Sequence, residues 1–88
     1  MDTENEKFFM YVLLCQDGSL YTGYTNDVKR RFAAHLSGKG ARYTRAHKPQ
    51  RILYQEEFDT KHDALSAEFH FKQLPRAKKI QYIRLHTK

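Results

Sequence analysis

The amino-acid sequence predicts an α/β fold: a small three-stranded, largely antiparallel sheet flanked by helices, in the order ββαβαα. Three observations carry that expectation. An apolar run from Phe8 to Cys15 leads straight into a glycine turn and a second, tyrosine-containing segment. Two stretches with helical apolar spacing open on capping residues, at Thr25-Asn26-Asp27 and at Thr60-Lys61-His62-Asp63. Between them lies a further apolar segment, Arg51 to Phe58. Segments of this kind bury their apolar sides by packing helices on one sheet.

Taken in order, Phe8 to Cys15 is almost wholly apolar or aromatic, as expected of a strand covered on both faces. Gln16-Asp17-Gly18 and then Ser19-Leu20-Tyr21-Thr22-Gly23-Tyr24 complete a hairpin. The residues allow two registers. A two-residue Asp17-Gly18 turn pairs Tyr11 with Tyr24 and puts Tyr11 and Tyr21 on opposite faces. A three-residue loop with Gly18 left-handed in a bulge pairs Leu13 with Tyr21 and Tyr11 with Gly23, so the two tyrosines share a face. Thr25 or Asn26 is the expected cap of the first helix, with Asp27 in its first turn. Val28, Phe32 and Leu36 form an i, i+4 stripe on that helix, Arg31 and His35 project together beside it, and Ser37-Gly38 ends it.

Lys39 to Pro49 reads as a basic connection with room for one short helical turn, and Arg51 to Phe58 as the third strand. Thr60 and Asp63 resemble a capping box opening the second main helix, with Leu65 and Phe69 marking its apolar side. Pro75 interrupts or restarts that helix, and Ile80, Ile83 and Tyr82 anchor a last basic helix. Residues 1–7 are expected to be an acidic tail, residues 8–84 one domain and residues 85–88 a basic tail.

The chain has 88 residues, 16 Lys/Arg and 10 Asp/Glu, a formal charge of +6. No apolar run approaches the roughly 20 residues of a membrane-spanning helix. Residues 1–7 lack the plan of a signal peptide. A single cysteine, Cys15, excludes an internal disulfide framework and a cysteine zinc site, and suggests a reduced, cytoplasmic setting. The charge is segregated. Lys29 to Arg51 holds eight Lys/Arg and no carboxylate, and the last thirteen residues hold five more, again without an acid. A face of this kind attracts a polyanion, and phosphate is the usual target. Arg30, Lys39, Arg42, Tyr43, Thr44, Arg45 and Lys48 are the candidate nucleic-acid contacts. The histidines at 35, 47, 62, 70 and 86 show no common metal-binding spacing.

What stands out is a set of polar side chains inside structured segments: Tyr11 and Tyr21 in strands, Arg31 and His35 on a helix, and Glu68 among Ala64, Leu65, Ala67 and Phe69. At these residues the sequence resembles the GIY-YIG nuclease superfamily, and most closely its short bacterial branch. Phe9-Met10-Tyr11 and Tyr21-Thr22-Gly23 stand at the two signature tripeptides, with Arg31, His35 and Glu68 at the family's helix arginine, the following histidine and the metal-binding glutamate. The segments Asp17 to Asp27 and Gly38-Lys39-Gly40-Ala41-Arg42-Tyr43-Thr44-Arg45 extend the likeness, which covers about residues 8 to 80. Phe9, Met10 and Thr22 depart from the signature without removing a reacting group.

The resemblance implies a metal-dependent endonuclease that hydrolyses phosphodiester bonds, with DNA the expected target and branched or single-stranded forms the candidates. One divalent ion, Mg²⁺ or Mn²⁺, is implied on Glu68, since such ions keep several waters and need few protein ligands. Arg31 and the ion would offset transition-state charge. Tyr11 would act as general base, Tyr21 would hold the water or phosphate, and His35 would bind phosphate or relay a proton. The implied chemistry selects the three-residue hairpin loop. Singly, each side chain has an ordinary structural reading, Glu68 as a surface partner of Lys72 at i+4. The competing function is a non-catalytic nucleic-acid-binding module that works with a partner protein.

Overall fold

The computed structural model describes residues 6–87. The tail expected over 1–7 therefore lies outside the described residues except for Glu6 and Lys7, as does Lys88 of the tail expected over 85–88. The elements run β1 (Phe8–Cys15), β2 (Leu20–Thr25), α1 (Val28–Leu36), α2 (Arg42–Ala46), β3 (Pro49–Phe58), α3 (Lys61–Lys72) and α4 (Arg76–His86). The expected three-stranded sheet is present, antiparallel throughout, in the order β2-β1-β3. The room left for one helical turn between Lys39 and Pro49 is filled by α2, and β3 starts at Pro49, two residues before the expected Arg51.

β1 is central, which explains its unbroken apolar sequence. Met10 and Val12 point to one side and pack with Phe71 of α3 and Ile83 of α4. Tyr11 and Leu13 point to the other and pack with Val28 of α1. Each face is thus covered by helix, and neither face of the strand needs polar residues. Among the described residues no helix is long and apolar enough to cross a membrane.

The hairpin adopts the three-residue loop. Tyr11 lies opposite Gly23 and Leu13 opposite Tyr21. Gly18 has φ of +86°, its N–H donates to Cys15 O at 2.9 Å, and Cys15 N–H donates to Ser19 O at 2.9 Å. Asp17 stiffens the turn by accepting from Ser19 N–H at 3.0 Å and Ser19 Oγ–H at 2.6 Å.

Three local expectations are corrected. The cap of α1 is Asp27, whose carboxylate accepts from Arg30 N–H at 3.1 Å, while Thr25 Oγ1 instead accepts from Asp27 N–H. The stripe Val28-Phe32-Leu36 turns away at its end: Leu36 is 44% exposed and His35 takes the buried place at 1%. On α3, Leu65 and Phe69 are exposed at 40% and 61%, and Ala64 and Phe71 face inward. Small and large residues alternate on that side, so helical spacing alone pointed to the wrong face. Thr60 does cap α3, accepting from Asp63 N–H at 3.1 Å.

Candidate active site

The site forms on the α1 side of the sheet, where the hairpin register puts Tyr11 and Tyr21 together. Their ring centroids are 6.3 Å apart. Gly23 makes this possible, because the Tyr11 ring lies directly across it. A Cβ at position 23 would stand 2.5 Å from Tyr11 Oη and 2.6 Å from Cζ. Gly23→Ala is therefore expected to destabilise the fold by about 1–3 kcal/mol, the usual cost of overpacking a rigid core. Thermal denaturation against the Gly18→Ala protein separates this clash from simple loss of a turn glycine, since nothing stands within 4 Å of a Cβ at Gly18.

Tyr11, His35 and Thr44 form one buried chain of hydrogen bonds. Tyr11 Oη is 2.8 Å from His35 Nε2, and His35 Nδ1 is 2.7 Å from Thr44 Oγ1. The proton positions follow from Thr44. Its hydroxyl donates to Ala41 O at 3.0 Å and accepts from Ala41 N–H at 3.3 Å. With its one proton committed, Thr44 can only accept from His35, so Nδ1 carries the hydrogen and Nε2 is bare. Tyr11 O–H therefore donates to Nε2. All three residues are at most 2% exposed, and the chain leaves no buried polar atom unpartnered among the described residues. Gly40 closes the far side of the histidine: a Cβ there would overlap the imidazole ring.

Burial, with the Arg31 charge adding to it, holds His35 below the usual histidine range. Burial also pushes the Tyr11 phenol up to about 12, while the nearby Arg31 guanidinium pulls back in part and Tyr21 and Glu68 add to the rise. At neutral pH the pair is thus a neutral phenol facing a neutral imidazole. For stability the sign is fixed by the histidine. Its folded value lies below the unfolded one of about 6.5, so its contribution is complete above that pH and is lost as pH falls. The expected result is a decline in thermal midpoint below pH ~6.5 that is shallower in His35→Gln, read as the difference between the two pH curves.

Tyr21 meets the edge of His35 at 5.0 Å and stacks on Tyr43 of α2 at 5.9 Å. Tyr43 stacks in turn on His47 at 4.2 Å. His47 Nδ1 is 2.6 Å from Asp17 Oδ2 in the hairpin loop, tying α2 to the turn. Sequence reasoning placed Asp17 in the hairpin loop without a distant partner and assigned no role to His47. Thirty residues separate them, and nothing local signals the pair. Thr44 was expected as a substrate contact and is instead an interior residue, 2% exposed, that sets the histidine.

Arg31 is half-buried and reaches Gly40 O with Nη2 at 3.2 Å, holding the start of the α2 loop beside the phenol. Glu68 comes from α3, which packs on β1 and β2, and its carboxylate is near enough to raise the Tyr11 phenol. Its side chain is 17% exposed and pairs with Lys72 at 2.9 Å. Among the described residues no three His, Cys, Asp or Glu side chains gather around one point. A lone, accessible carboxylate fits a hard ion that keeps its waters and takes further oxygens from a phosphate. It does not fit a closed four-ligand centre. Glu68 would have to leave Lys72 to take such an ion.

The basic candidates are placed around this group. Arg30, Lys39, Arg42, Arg45 and Lys48 are exposed, and Tyr43 is 37% exposed. Arg30 and Arg31 line a shallow cavity of about 340 Å³ at the start of α1.

Comparison with known proteins gives consistent results. Residues 7–81 match the model of the GIY-YIG catalytic domain. The chain is 55% identical to a UPF0213 protein of Bacillus velezensis, covering 91% of this chain and 81% of that one. It is 56% identical to a UPF0213 protein of Streptococcus agalactiae, covering 89% of each. Two solution NMR structures share the fold. The UPF0213 protein BH0048 from Bacillus halodurans has 46% identity and a TM-score of 0.60, covering 91% of this chain and 85% of its own. The protein EF2693 from E. faecalis has 44% identity and a TM-score of 0.64, covering 93% and 88%. The sheet, the paired tyrosines and these matches lead to one conclusion: the chain belongs to the GIY-YIG family, among its small bacterial UPF0213 members.

Proposed function

We propose that the protein is a metal-dependent endonuclease that hydrolyses phosphodiester bonds in DNA, with branched or single-stranded forms as its targets. The observation that carries the reading is the buried Tyr11–His35–Thr44 chain beside Arg31. A tyrosine with a phenol near 12 is a poor base unless its own proton has somewhere to go. Here His35 Nε2 stands 2.8 Å away with its lone pair aimed at that proton. As Tyr11 takes a proton from the attacking water, its own moves to His35, and the new imidazolium is steadied by Nδ1–H on Thr44. Arg31 meets the charge that grows on the phosphoryl oxygens. Tyr21 orients the water or a phosphate oxygen.

Glu68 is the residue that would hold a single Mg²⁺ or Mn²⁺. Bound there, such an ion would act as a Lewis acid that offsets negative charge in the transition state. The exposed cations around the site supply salt-sensitive attraction to the strand. The free, buried Cys15 suits a reducing, cytoplasmic setting.

The test is cleavage of labelled single-stranded, duplex and branched DNA with Mg²⁺ or Mn²⁺ by the purified wild type and by Tyr11→Phe, Arg31→Ala and Glu68→Ala. Wild-type cutting that all three variants lose while still binding supports the reading. Cutting that survives Glu68→Ala comes from another source and counts against it. One observation favours the second reading, a binding module that acts with a partner protein: Lys72 already occupies the carboxylate that a metal would need. It predicts retention on DNA with no cutting of any of the three substrates.

A further inference from the structure

A cavity of about 230 Å³ lies where the start of β2 meets α2 and the first turn of α4. Ser19, Leu20, Tyr43, Arg76 and Lys79 line it. Its charge is wholly positive. Arg76 and Lys79 are three apart on one helix and so project side by side. No carboxylate lines the cavity, and among the described residues neither cation is in an ion pair. Lys79 Nζ lies 6.0 Å from the Phe71 ring centre. Arg76 is exposed and Lys79 half-buried, so the pair presents its positive charge to solvent with no carboxylate in the cavity beside it. An arginine fork and a lysine point charge are complementary ways to hold a phosphate.

The position of the cavity identifies the occupant. β2 is an edge strand of the sheet. On one face Tyr21 sits against His35; on the other α3 brings Glu68 toward the phenol. Tyr43, which lines the cavity, stacks directly on Tyr21. Tyr43 thus joins the cavity to the Tyr11–Tyr21 group, and a strand laid along the β2 edge at Tyr11 can run on toward Arg76 and Lys79. We propose that Arg76, Lys79 and Tyr43 form a second phosphate subsite, which grips a phosphodiester of the strand beyond the link held at Tyr11. This rests on the nucleic-acid substrate proposed above and adds residues from α4 to the recognition of that strand.

The experiment measures binding and leaves cleavage out. A fluorescein-labelled single-stranded DNA oligonucleotide is titrated in EDTA, over a series of salt concentrations, with the wild type and two double variants. Arg76→Gln with Lys79→Gln removes the cavity's charge. Lys78→Gln with Arg84→Gln removes the same charge from parts of α4 that do not line it. The cavity variant should bind about tenfold more weakly and lose about 0.7 from the slope of log affinity on log salt, one phosphate contact on a single strand. The control should change affinity less than twofold at equal slope. Matching losses in the two variants, or no loss in the cavity variant, overturn the subsite. Circular dichroism melting of both variants identifies any loss due to unfolding; if the cavity double unfolds, Lys79→Gln alone replaces it with the same criteria. A wild type that binds with this pattern yet cuts nothing keeps the subsite and removes the nuclease reading.

Discussion

Tyr11→Phe is expected to lower the single-turnover rate of DNA cleavage by about 10²- to 10⁴-fold, the range of a lost general base, with DNA affinity unchanged. One oxygen is removed and the ring remains, so the packing against Leu13 and Val28 is kept. What is lost is the phenol that the proposed reaction uses to take the proton from water and pass its own to His35. The bare Nε2 is then a buried acceptor without a partner, at a cost of about 1–3 kcal/mol. A modest fall in thermal midpoint should accompany the rate loss, and the protein should stay folded. The wild-type rate should fall on the acid side as His35, held below its usual range by burial, becomes charged. An imidazolium cannot accept the phenol's proton. A Tyr11→Phe protein that cuts at the wild-type rate would remove the phenol from the reaction.

The second large effect is expected at Glu68. Under the proposed function its removal takes away the carboxylate that would hold the divalent ion, and with it several kcal/mol of transition-state stabilisation, or roughly 10²-fold or more in rate. Glu68→Gln should behave like Glu68→Ala, since the neutral amide has lost the charge that attracts Mg²⁺. The ion pair with Lys72 gives a further handle. A partly exposed i, i+4 pair of this kind is worth well under ~1 kcal/mol, so Lys72 would compete only weakly with a divalent ion. Lys72→Met should therefore lower the Mn²⁺ concentration at half-maximal rate about twofold, with little effect on the saturated rate. An unchanged metal requirement in Lys72→Met would mean that Glu68 does not receive the ion where the lysine now sits.

The strands and the order of elements were readable from the residues because β1 is buried on both faces and shows it in composition. The hairpin register was not, since Gln16-Asp17-Gly18 satisfies either turn; the left-handed Gly18 and the Ser19 bonds to Asp17 decide it. Spacing on α1 gave Leu36 as the end of the apolar stripe, yet His35 is the buried residue. The reason is the hydrogen-bonded partner at each ring nitrogen, which makes a buried imidazole tolerable and which no single-helix pattern shows. On α3 the same kind of pattern chose Leu65 and Phe69, and the tertiary contacts of Ala64 and Phe71 prevail.

Thr44 shows the limit of motif reading most clearly. Set in a basic, glycine-containing loop, it looked like a substrate contact. Its hydroxyl is instead saturated by Ala41 and His35, and what it sets is the tautomer of the histidine. Arg30, Lys39, Arg42, Arg45 and Lys48 are exposed.

The central claim is that one divalent ion and one phosphodiester meet at Glu68, Tyr11 and Arg31. A Mn²⁺ titration of the ¹⁵N-labelled protein, followed by NMR with a short single-stranded DNA present, tests it most directly. Paramagnetic broadening should centre on Glu68, extend to Tyr11 and Tyr21 across the sheet edge, and vanish in Glu68→Gln. Broadening centred on Asp17 or Glu56, or broadening at Glu68 that persists unchanged in Glu68→Gln, would contradict it.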